Sequence, residues 1–173
     1  MRLARTLLLL AGLSAFAGCG YHTLGMATHL PPGARTLAVP VFATRTDTYH
    51  TETVITEAVI QEFAARSRLR VRPDLNEDPD VVLHGTILQE TAMPLTYNAS
   101  TQQSSSFLIT VVASVNLTAR DGYVLYENKN YVFRQQYEST TNLASYFDEG
   151  PAAMQRLSRD FARALVADVL EGM

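Results

Sequence analysis

The stretch Phe107-Leu-Ile-Thr-Val-Val-Ala-Ser-Val-Asn-Leu-Thr-Ala119 alternates between apolar and polar side chains, and only Leu108 and Val112 break the pattern. Alternation of this length is typical of a β-strand with one buried and one solvated face. Asp121-Gly122 follows almost at once, and a second extended stretch runs from Tyr123 to Tyr137. The sequence therefore predicts a long antiparallel hairpin, around which the rest of the chain is organised.

The length of the hairpin loop sets which side chains face each other across the two strands. A two-residue loop of Asp121 and Gly122 would pair Val115 with Asn128. A three-residue loop that includes Arg120, with Gly122 in the left-handed region, would pair apolar residues with each other instead. Those pairs are Leu117 with Leu125, Val111 with Tyr131 and Ile109 with Phe133. Because a slip of one residue turns every side chain to the opposite face, burial favours the three-residue loop.

The three-residue loop leaves one inconsistency in the second strand. Glu127 and Lys129 would fall on the apolar side of the hairpin, opposite Val115 and Ala113. Charged side chains are rarely buried without a partner. We therefore expect a β-bulge or an uncovered patch at this place.

The first half of the domain predicts a strand, a helix and a short strand. Residues 35–42 are mostly apolar, and Pro40 within them must lie at an edge or beside a bulge. Apolar residues at helical spacing predict a helix over residues 51–66, with Thr51 as its N-cap. Residues 69–72 are then the next strand, and the crossover through the helix is right-handed if this strand lies parallel to the first.

The remaining elements complete the predicted architecture. From Val81 the chain alternates again, with His84 and Glu90 outward, and it stays extended past Met93, after which residues 96–106 predict a polar loop. A stripe of large apolar residues predicts an amphipathic helix over residues 149–171. These elements predict an α+β two-layer sandwich, with two amphipathic helices on one face of a mixed, mainly antiparallel sheet of four to five strands.

The first 18 residues have the features of a secretory signal peptide. Arg2 and Arg5 precede an apolar stretch, residues 6–13, that is too short to span a bilayer. Without residues 1–18 the chain has 12 basic and 17 acidic side chains, a net charge of −5. A chain this acidic is not a general nucleic-acid binder.

Cys19 is the only cysteine, which excludes a disulfide within the chain. Its position after Ala17-Gly18 resembles a bacterial lipoprotein precursor, although Phe16 stands where leucine is preferred. The resemblance implies a diacylglycerol and an acyl chain at Cys19, and Gly20, which is not the retaining aspartate, implies the periplasmic side of the outer membrane. An ordinary signal peptide with an unmodified cysteine is the alternative. Residues 19–33 predict a tether, and residues 34–173 a single domain.

No pattern in the chain predicts catalysis or a cofactor. The four histidines have no metal-ligand spacing, and no second cysteine is present for zinc. The serines at 104–106 lack a nucleophile-elbow motif, and the acidic residues near Asp80 lack the spacing of a calcium loop. We therefore expect a protein that is not an enzyme and that carries no metal.

A series of motifs resembles the lipopolysaccharide-assembly lipoprotein family LptE. The resemblance covers essentially the whole chain after the signal peptide, and the order and spacing of the motifs carry it. These motifs are Cys19-Gly-Tyr-His22, Leu30-Pro-Pro-Gly33, Thr36-Leu-Ala-Val-Pro-Val-Phe42, Thr56-Glu-Ala-Val-Ile60, Arg68-Leu-Arg-Val71, Val124-Leu-Tyr-Glu127 with Phe133 and Tyr137, and the terminal helix over residues 152–170.

The resemblance implies a function in binding and scaffolding. Members of the family plug a large outer-membrane β-barrel of the LptD type and help it to insert lipopolysaccharide into the outer leaflet. The polar face formed by Thr110, Ser114, Asn116 and Thr118 suits a wet barrel lumen. Simple exposure of that face to solvent is the alternative interpretation.

Lipopolysaccharide binding in the family is associated with basic residues. This chain has no Lys or Arg between Arg72 and Arg120. The candidates for contact with lipid phosphates are therefore Arg120, Lys129 and Arg134. The alternative function is a lipoprotein regulator of a periplasmic peptidoglycan synthase, although such regulators usually carry longer, Pro/Gln-rich tethers.

Overall fold

The computed structural model describes residues 29–46, 51–75, 78–97, 104–138 and 150–171. Within these ranges the chain forms six strands and two helices. In chain order they are β1 (Thr36–Ala38), β2 (Ala43–Thr44), α1 (Thr51–Arg66), β3 (Arg70–Arg72), β4 (Val81–Tyr97), β5 (Ser104–Ala119), β6 (Val124–Glu138) and α2 (Gly150–Glu171). Cys19 and the predicted signal peptide lie outside the described residues.

The six strands form one mixed sheet with the order β3-β1-β4-β5-β6, and β2 pairs with β4 beside β1. β1 is parallel to both β3 and β4, as the strand–helix–strand connection through α1 predicts. β4, β5 and β6 are antiparallel and contribute most of the sheet. Both helices cover one face, which we name the helix side. The predicted α+β class is confirmed, with six strands in place of four to five.

The additional strand arises at Pro40, where the predicted first strand is divided in two. β1 ends at Ala38, and the Val39 N–H donates to the Arg72 carbonyl at 2.7 Å before the chain leaves the sheet. β1 lies between β3 and β4, where a proline would remove a ladder hydrogen bond. The strand therefore stops before Pro40, and pairing resumes with β4 at β2.

The helices agree closely with the predicted periodicity. α1 covers residues 51–66 as predicted and buries Ile55, Val59 and Phe63. α2 buries Leu157, Phe161, Leu165 and Val169 of the predicted stripe, while Met154 is only half-buried. The ring of Phe161 is the centre of an aromatic cluster against the sheet. Its neighbours are Phe42, Tyr131 and Phe133, with ring centroids 5.1–6.2 Å away.

The β5–β6 hairpin has the predicted three-residue loop. The Ala119 N–H donates to the Tyr123 carbonyl at 2.8 Å, and the Gly122 N–H donates to the Ala119 carbonyl at 2.9 Å. Gly122 has a φ of 86°, in the left-handed region where the absence of a Cβ matters. The prediction that Arg120, Asp121 and Gly122 form the loop is confirmed.

The predicted register is wrong beyond the loop, because β6 contains two bulges. Leu125 is an extra residue that shifts Leu117 opposite Tyr126. Lys129 and Asn130 together face the single residue Ser114, which shifts the rest of the ladder once more. The resulting pairs are Ala113 with Tyr131, Val111 with Phe133 and Ile109 with Gln135. Because each shift of one residue exchanges the two faces, two shifts restore the faces of the predicted register. Tyr131 and Phe133 therefore still point to the helix side.

The second bulge resolves the inconsistency at the charged residues. Glu127 lies opposite Asn116, on the face away from the helices, and Lys129 lies within the bulge and is exposed. The expected bulge at this place is confirmed. It removes both charges from the buried side of the hairpin without moving the aromatic residues that follow.

The predicted loop over residues 96–106 is shorter in the structure. β4 continues to Tyr97 and β5 begins at Ser104, and residues 98–103 lie outside the described residues. Thr96 pairs with Ser106 across the two strands, and their hydroxyls form a hydrogen bond at 2.7 Å. Polar composition predicted a loop here, but cross-strand hydroxyl pairs also stabilise strands.

Candidate functional site

The face of the sheet opposite the helices, which we name the open face, is the candidate interaction surface. On β5 it carries the six even-numbered residues from Leu108 to Thr118, none of which is fully buried. The intervening odd-numbered residues from Ile109 to Leu117 are all buried under the helices. The same strand therefore supplies the centre of the core and the centre of a surface that no described element covers.

Polar side chains from β4 and β5 lie next to each other on the open face. Across the β4–β5 ladder, His84 faces Asn116, Thr86 faces Ser114 and Thr91 faces Thr110. His84 is exposed, in agreement with its predicted outward position. An apolar strip runs between these polar residues, and its centre is the cross-strand pair of Val112 and Val132. The open face therefore offers hydroxyl and amide groups beside half-exposed valines.

A bulge in β4 changes which residues reach the open face. Leu88 is an extra residue between the pairs Ile87–Ala113 and Gln89–Val112. As a consequence Gln89 and Thr91 lie on the open face, and Glu90 lies opposite Val111 on the helix side. The predicted outward position of Glu90 is wrong for this reason. Strict alternation through residues 81–93 contains no sign of the extra residue.

Arg120 is held by carboxylates at the hairpin loop. Its guanidinium lies 3.0 Å from the Asp80 carboxylate and 3.4 Å from that of Asp78, and it also donates to the Asp78 carbonyl at 2.8 Å. Asp80 in turn accepts from the N–H groups of Arg35 and Thr36 and from the Thr36 hydroxyl. The hydrogen bond from the Arg35 N–H, with those from Thr36, lowers the pKa of Asp80 below its ordinary value.

Lys129 and Arg134 differ in their surroundings. The Lys129 ammonium lies 3.3 Å from the Glu127 carboxylate, and its side chain is 76% exposed. Arg134 is exposed, lies opposite Thr110, and forms no ion pair with any other described residue. Nine residues of β5 separate the level of Arg134 from the loop that carries Arg120, about 30 Å along the strand. The structure therefore does not bring the three predicted cations together.

A second polar cluster, which the sequence did not predict, joins α2 to β6. The hydroxyls of Tyr126 and Tyr131 lie 2.5 Å apart, and both donate to the Asp168 carboxylate, from Tyr126 at 3.2 Å. Burial, followed by the hydrogen bond to Asp168, raises the pKa of the Tyr131 hydroxyl well above its ordinary value. Burial also raises the pKa of Tyr126. Both phenols therefore stay protonated into the alkaline range as hydrogen-bond donors to the helix.

Neither a cluster of metal ligands nor a membrane-spanning helix is found among the described residues. No group of three or more histidine, cysteine, aspartate or glutamate side chains in them could hold a metal ion. Neither helix described is long and apolar enough to cross a bilayer. Cys19, the predicted site of lipid attachment, lies outside the described residues.

The comparisons with known proteins agree with this architecture. Residues 34–169 match the family described as LptE, lipopolysaccharide-assembly. The chain belongs to the LptE family. Its role is therefore in lipopolysaccharide assembly, as the sequence motifs predicted. A search of curated protein sequences found no match.

Solved structures show that the LptE-family fold is shared at low sequence identity. Lipoprotein B from Nitrosomonas europaea is 11% identical with a TM-score of 0.55, over 87% of this chain and 90% of that one. A putative lipoprotein from Caulobacter crescentus is 10% identical with a TM-score of 0.51, over 76% and 89%. The protein CT253 from Chlamydia trachomatis is 10% identical with a TM-score of 0.50, over 81% and 99%. At such identities the likeness concerns the fold alone.

Proposed function

We propose that this chain is an outer-membrane lipoprotein, acylated at Cys19, that plugs and scaffolds a lipopolysaccharide-translocating β-barrel of the LptD type. In this role it assists the insertion of lipopolysaccharide into the outer leaflet from the periplasmic side. Membership of the LptE family supports the assembly role. The observation that carries the barrel contact is the open face of the sheet, which no described element covers.

The chemistry of the open face fits the inner wall of a barrel. Large barrels have polar interiors, so a plug has to offer hydrogen-bonding groups to their walls. Thr110, Ser114, Asn116 and Thr118 provide such groups on β5, while Val112 and Val132 provide a narrow apolar strip. A mixed polar and apolar surface of this kind is typical of interfaces between proteins that also exist apart.

A charge placed at the centre of the open face tests the barrel contact. Ser114→Arg introduces a long cation there, whereas Ala65→Arg places the same side chain on an exposed position of α1. We expect tagged protein with Ser114→Arg to recover much less of the heat-modifiable barrel than wild type, because a buried unpaired cation is costly. Ala65→Arg should recover as much barrel as wild type.

The same co-purification decides between the two functions considered. Equal recovery of the barrel by both variants would show that the open face is not the contact surface. Recovery of a murein synthase in place of the barrel, by the wild-type chain, would replace the proposal with the regulator of peptidoglycan synthesis. Circular dichroism of the two variants should match wild type, which separates a lost contact from a lost fold.

Among the three candidate cations, we propose Arg134 as the main contact for lipid phosphates, with Lys129 second. Arg134 lies on the open face and forms no ion pair with another described residue. Lys129 already has a carboxylate partner in Glu127. Arg120 is engaged by Asp78 and Asp80 and stabilises the loop. A free guanidinium offers two parallel hydrogen bonds to a phosphate, which a paired one does not.

Charge reversal tests the phosphate contact. Arg134→Glu together with Lys129→Glu should weaken binding of purified lipopolysaccharide severalfold. The control is Arg163→Glu, an exposed arginine on α2 whose ion pair among the described residues is with Asp160. Unchanged binding by the double variant, or an equal loss in the control, would remove these residues from the proposal.

A further inference from the structure

The chain enters the domain at the same end of the sheet that carries the hairpin loop, and we name this the entry end. The ring of His29 lies 5.3 Å from that of Tyr126, and Leu30 packs against the core. Residues 31–34 line one side of an open groove of about 420 Å³, and Ala119, Arg120, Asp121 and Asp80 line the other. The first described residues therefore lie beside the start of β6 and share a groove with the hairpin loop.

Two large apolar side chains are exposed at the entry end. Tyr123 is 70% exposed and Val124 is 48% exposed, directly after the loop. Val124 lies opposite Thr118 on the open face, and Tyr123, as its neighbour in an extended strand, points to the other side. The tip of the sheet therefore presents apolar surface on both of its faces.

The length of chain before His29 limits how far this end can lie from a membrane. Nine residues separate Cys19 from His29, and fully extended they reach about 30 Å. We propose that Tyr123 and Val124 contact the headgroup layer of the bilayer that holds the acylated N-terminus. This inference rests on the lipid attachment proposed above. It concerns the tip of the sheet, whereas the barrel contact is proposed for the centre of the open face.

The residue types at the tip fit a phospholipid surface. Tyrosine has an apolar ring and a polar hydroxyl, and for that reason it is enriched where hydrocarbon meets water. Arg120, in the adjoining loop, is bound to Asp78 and Asp80. The contact therefore depends on the ring of Tyr123 and the side chain of Val124, and a zwitterionic surface of phosphatidylcholine is sufficient for it.

The absence of tryptophan from the sequence makes the contact directly measurable. Tyr123→Trp places a single fluorophore at the tip, and Met93→Trp places one at a side chain that is 62% exposed near the other end of β4. Met93 lies twelve residues beyond Val81, about 40 Å along the strand. The acylated full-length mature chain is bound to phosphatidylcholine vesicles with brominated acyl chains, which quench tryptophan at the bilayer.

The expected result is a blue shift and loss of most emission for Tyr123→Trp, with Met93→Trp unchanged. An unquenched Tyr123→Trp, or equal quenching of both variants, would overturn the inference. So would a requirement for anionic phosphatidylglycerol, since that would indicate a contact carried by cations. Because substitution could disturb position 123 itself, Val124→Trp serves as a second reporter with the same expectation.

Two further measurements separate this inference from the proposed function. Mass spectrometry of the purified chain establishes the acyl groups at Cys19, and an unacylated chain would overturn the inference, because the anchor sets the reach. Barrel recovery is measured on the same variants. Quenching of the tip variants with no barrel recovered by the wild type would contradict the barrel contact alone, and barrel recovery without quenching would contradict the bilayer contact alone.

Discussion

The ring of Phe42 lies against the backbone of Gly85, in the place where any other residue would carry its Cβ. Gly85 is part of β4 on the helix side, and Phe42 is only 2% exposed beneath the helices. The Phe42 N–H donates to the Thr56 hydroxyl of α1 at 3.0 Å, which holds the segment in place. This close approach of a ring to a strand packs the segment after Pro40 against the sheet, just before the backbone pairing of β2 with β4.

Gly85→Ala should destabilise the fold through this contact. A methyl group at position 85 would overlap the ring atoms Cδ2 and Cε2 of Phe42, and overpacking of this kind typically costs about 1–3 kcal/mol. Urea denaturation followed by circular dichroism measures the change. In a Phe42→Leu background, where the ring is absent, Gly85→Ala should cost clearly less. An equal cost in both backgrounds would show that the ring is not the cause.

Gly122→Ala should cost about 1–2 kcal/mol for a different reason. Gly122 has a φ of 86°, and no atom lies within 4 Å of a Cβ placed there, so the penalty comes from the backbone conformation alone. Gly122→Asn is the control, because asparagine tolerates the left-handed region better than alanine. Thermal unfolding of the three proteins should rank them glycine, asparagine, alanine. A neutral Gly122→Ala would mean that the loop adopts another conformation in solution.

The elements that could be predicted from the sequence are those determined by local pattern. Helical spacing at Ile55, Val59 and Phe63 predicted α1 to the residue, and Gly122 predicted the loop. In both cases the deciding information lies within one turn or one strand pair. The spacing of apolar residues in a helix and the conformational freedom of a glycine are local properties. They are retained in the fold because tertiary packing favours the same local structure.

The bulges at Leu88 and Leu125 could not be predicted, because an extra residue leaves no trace in local propensity, whereas the bulge at Lys129 and Asn130 was expected from the charges that would otherwise face the core. Leu88 and Leu125 are ordinary strand neighbours, and only the opposite strand shows that one residue is unmatched. The register beyond each bulge is instead determined by which side chains must lie on the helix side of the sheet. For β6 these residues are Tyr126 and Tyr131, which meet Asp168 of α2. That requirement depends on an element about 40 residues away.

The candidate cations show the same limit. The charges of Arg120, Lys129 and Arg134 were apparent from the sequence, but their partners were not. Asp80 precedes Arg120 by 40 residues, and the ladder alone brings them to the same end of the sheet. The sequence therefore shows where the cations lie along the chain. The sheet topology determines which of them are paired with carboxylates and which can bind a ligand.

Asp80→Asn should remove part of the acid sensitivity of the protein. The pKa of Asp80 is lowered in the folded state from its ordinary value of 3.8, so its contribution to the free energy of unfolding is present above about pH 4. That contribution is lost as pH falls from there through the lower folded pKa. Wild type should therefore be more stable than the variant at neutral pH, and the difference should shrink toward zero in acid.

The control for Asp80 is Asp160→Asn, a carboxylate on the exposed side of α2 whose ion pair among the described residues is with Arg163. Its stability should match wild type at neutral pH, since exposed ion pairs contribute little. Urea midpoints measured from neutral pH down to about pH 3 test both statements. A difference between wild type and Asp80→Asn that stays constant over this range would contradict the role of the charge.

Asp168 attaches α2 to β6 through the hydroxyls of Tyr126 and Tyr131. Asp168→Ala removes the carboxylate to which the hydroxyls of Tyr126 and Tyr131 both donate. Only one of the two phenols can then donate to the other, so one donor in the cluster loses its acceptor, and Tyr131 is only 7% exposed. An unsatisfied buried donor costs about 1–3 kcal/mol. Adding Tyr131→Phe to Asp168→Ala should recover part of the loss, because both polar partners are then absent. A double-mutant cycle in urea measures this coupling, and strict additivity would show that the two groups do not interact in solution.

The stability of the protein at alkaline pH provides an independent measure of the contact between Tyr131 and Asp168. The pKa of Tyr131 is raised in the folded state from its ordinary value of 10.0, so its contribution to stability is present below about pH 10 and is lost as pH rises beyond it. The free energy of unfolding of Tyr131→Phe should therefore fall less steeply with rising pH in alkali than that of the wild type. Tyr123→Phe, at an exposed ring, should follow wild type throughout. An identical alkaline slope for all three proteins would place the Tyr131 phenol outside the buried cluster.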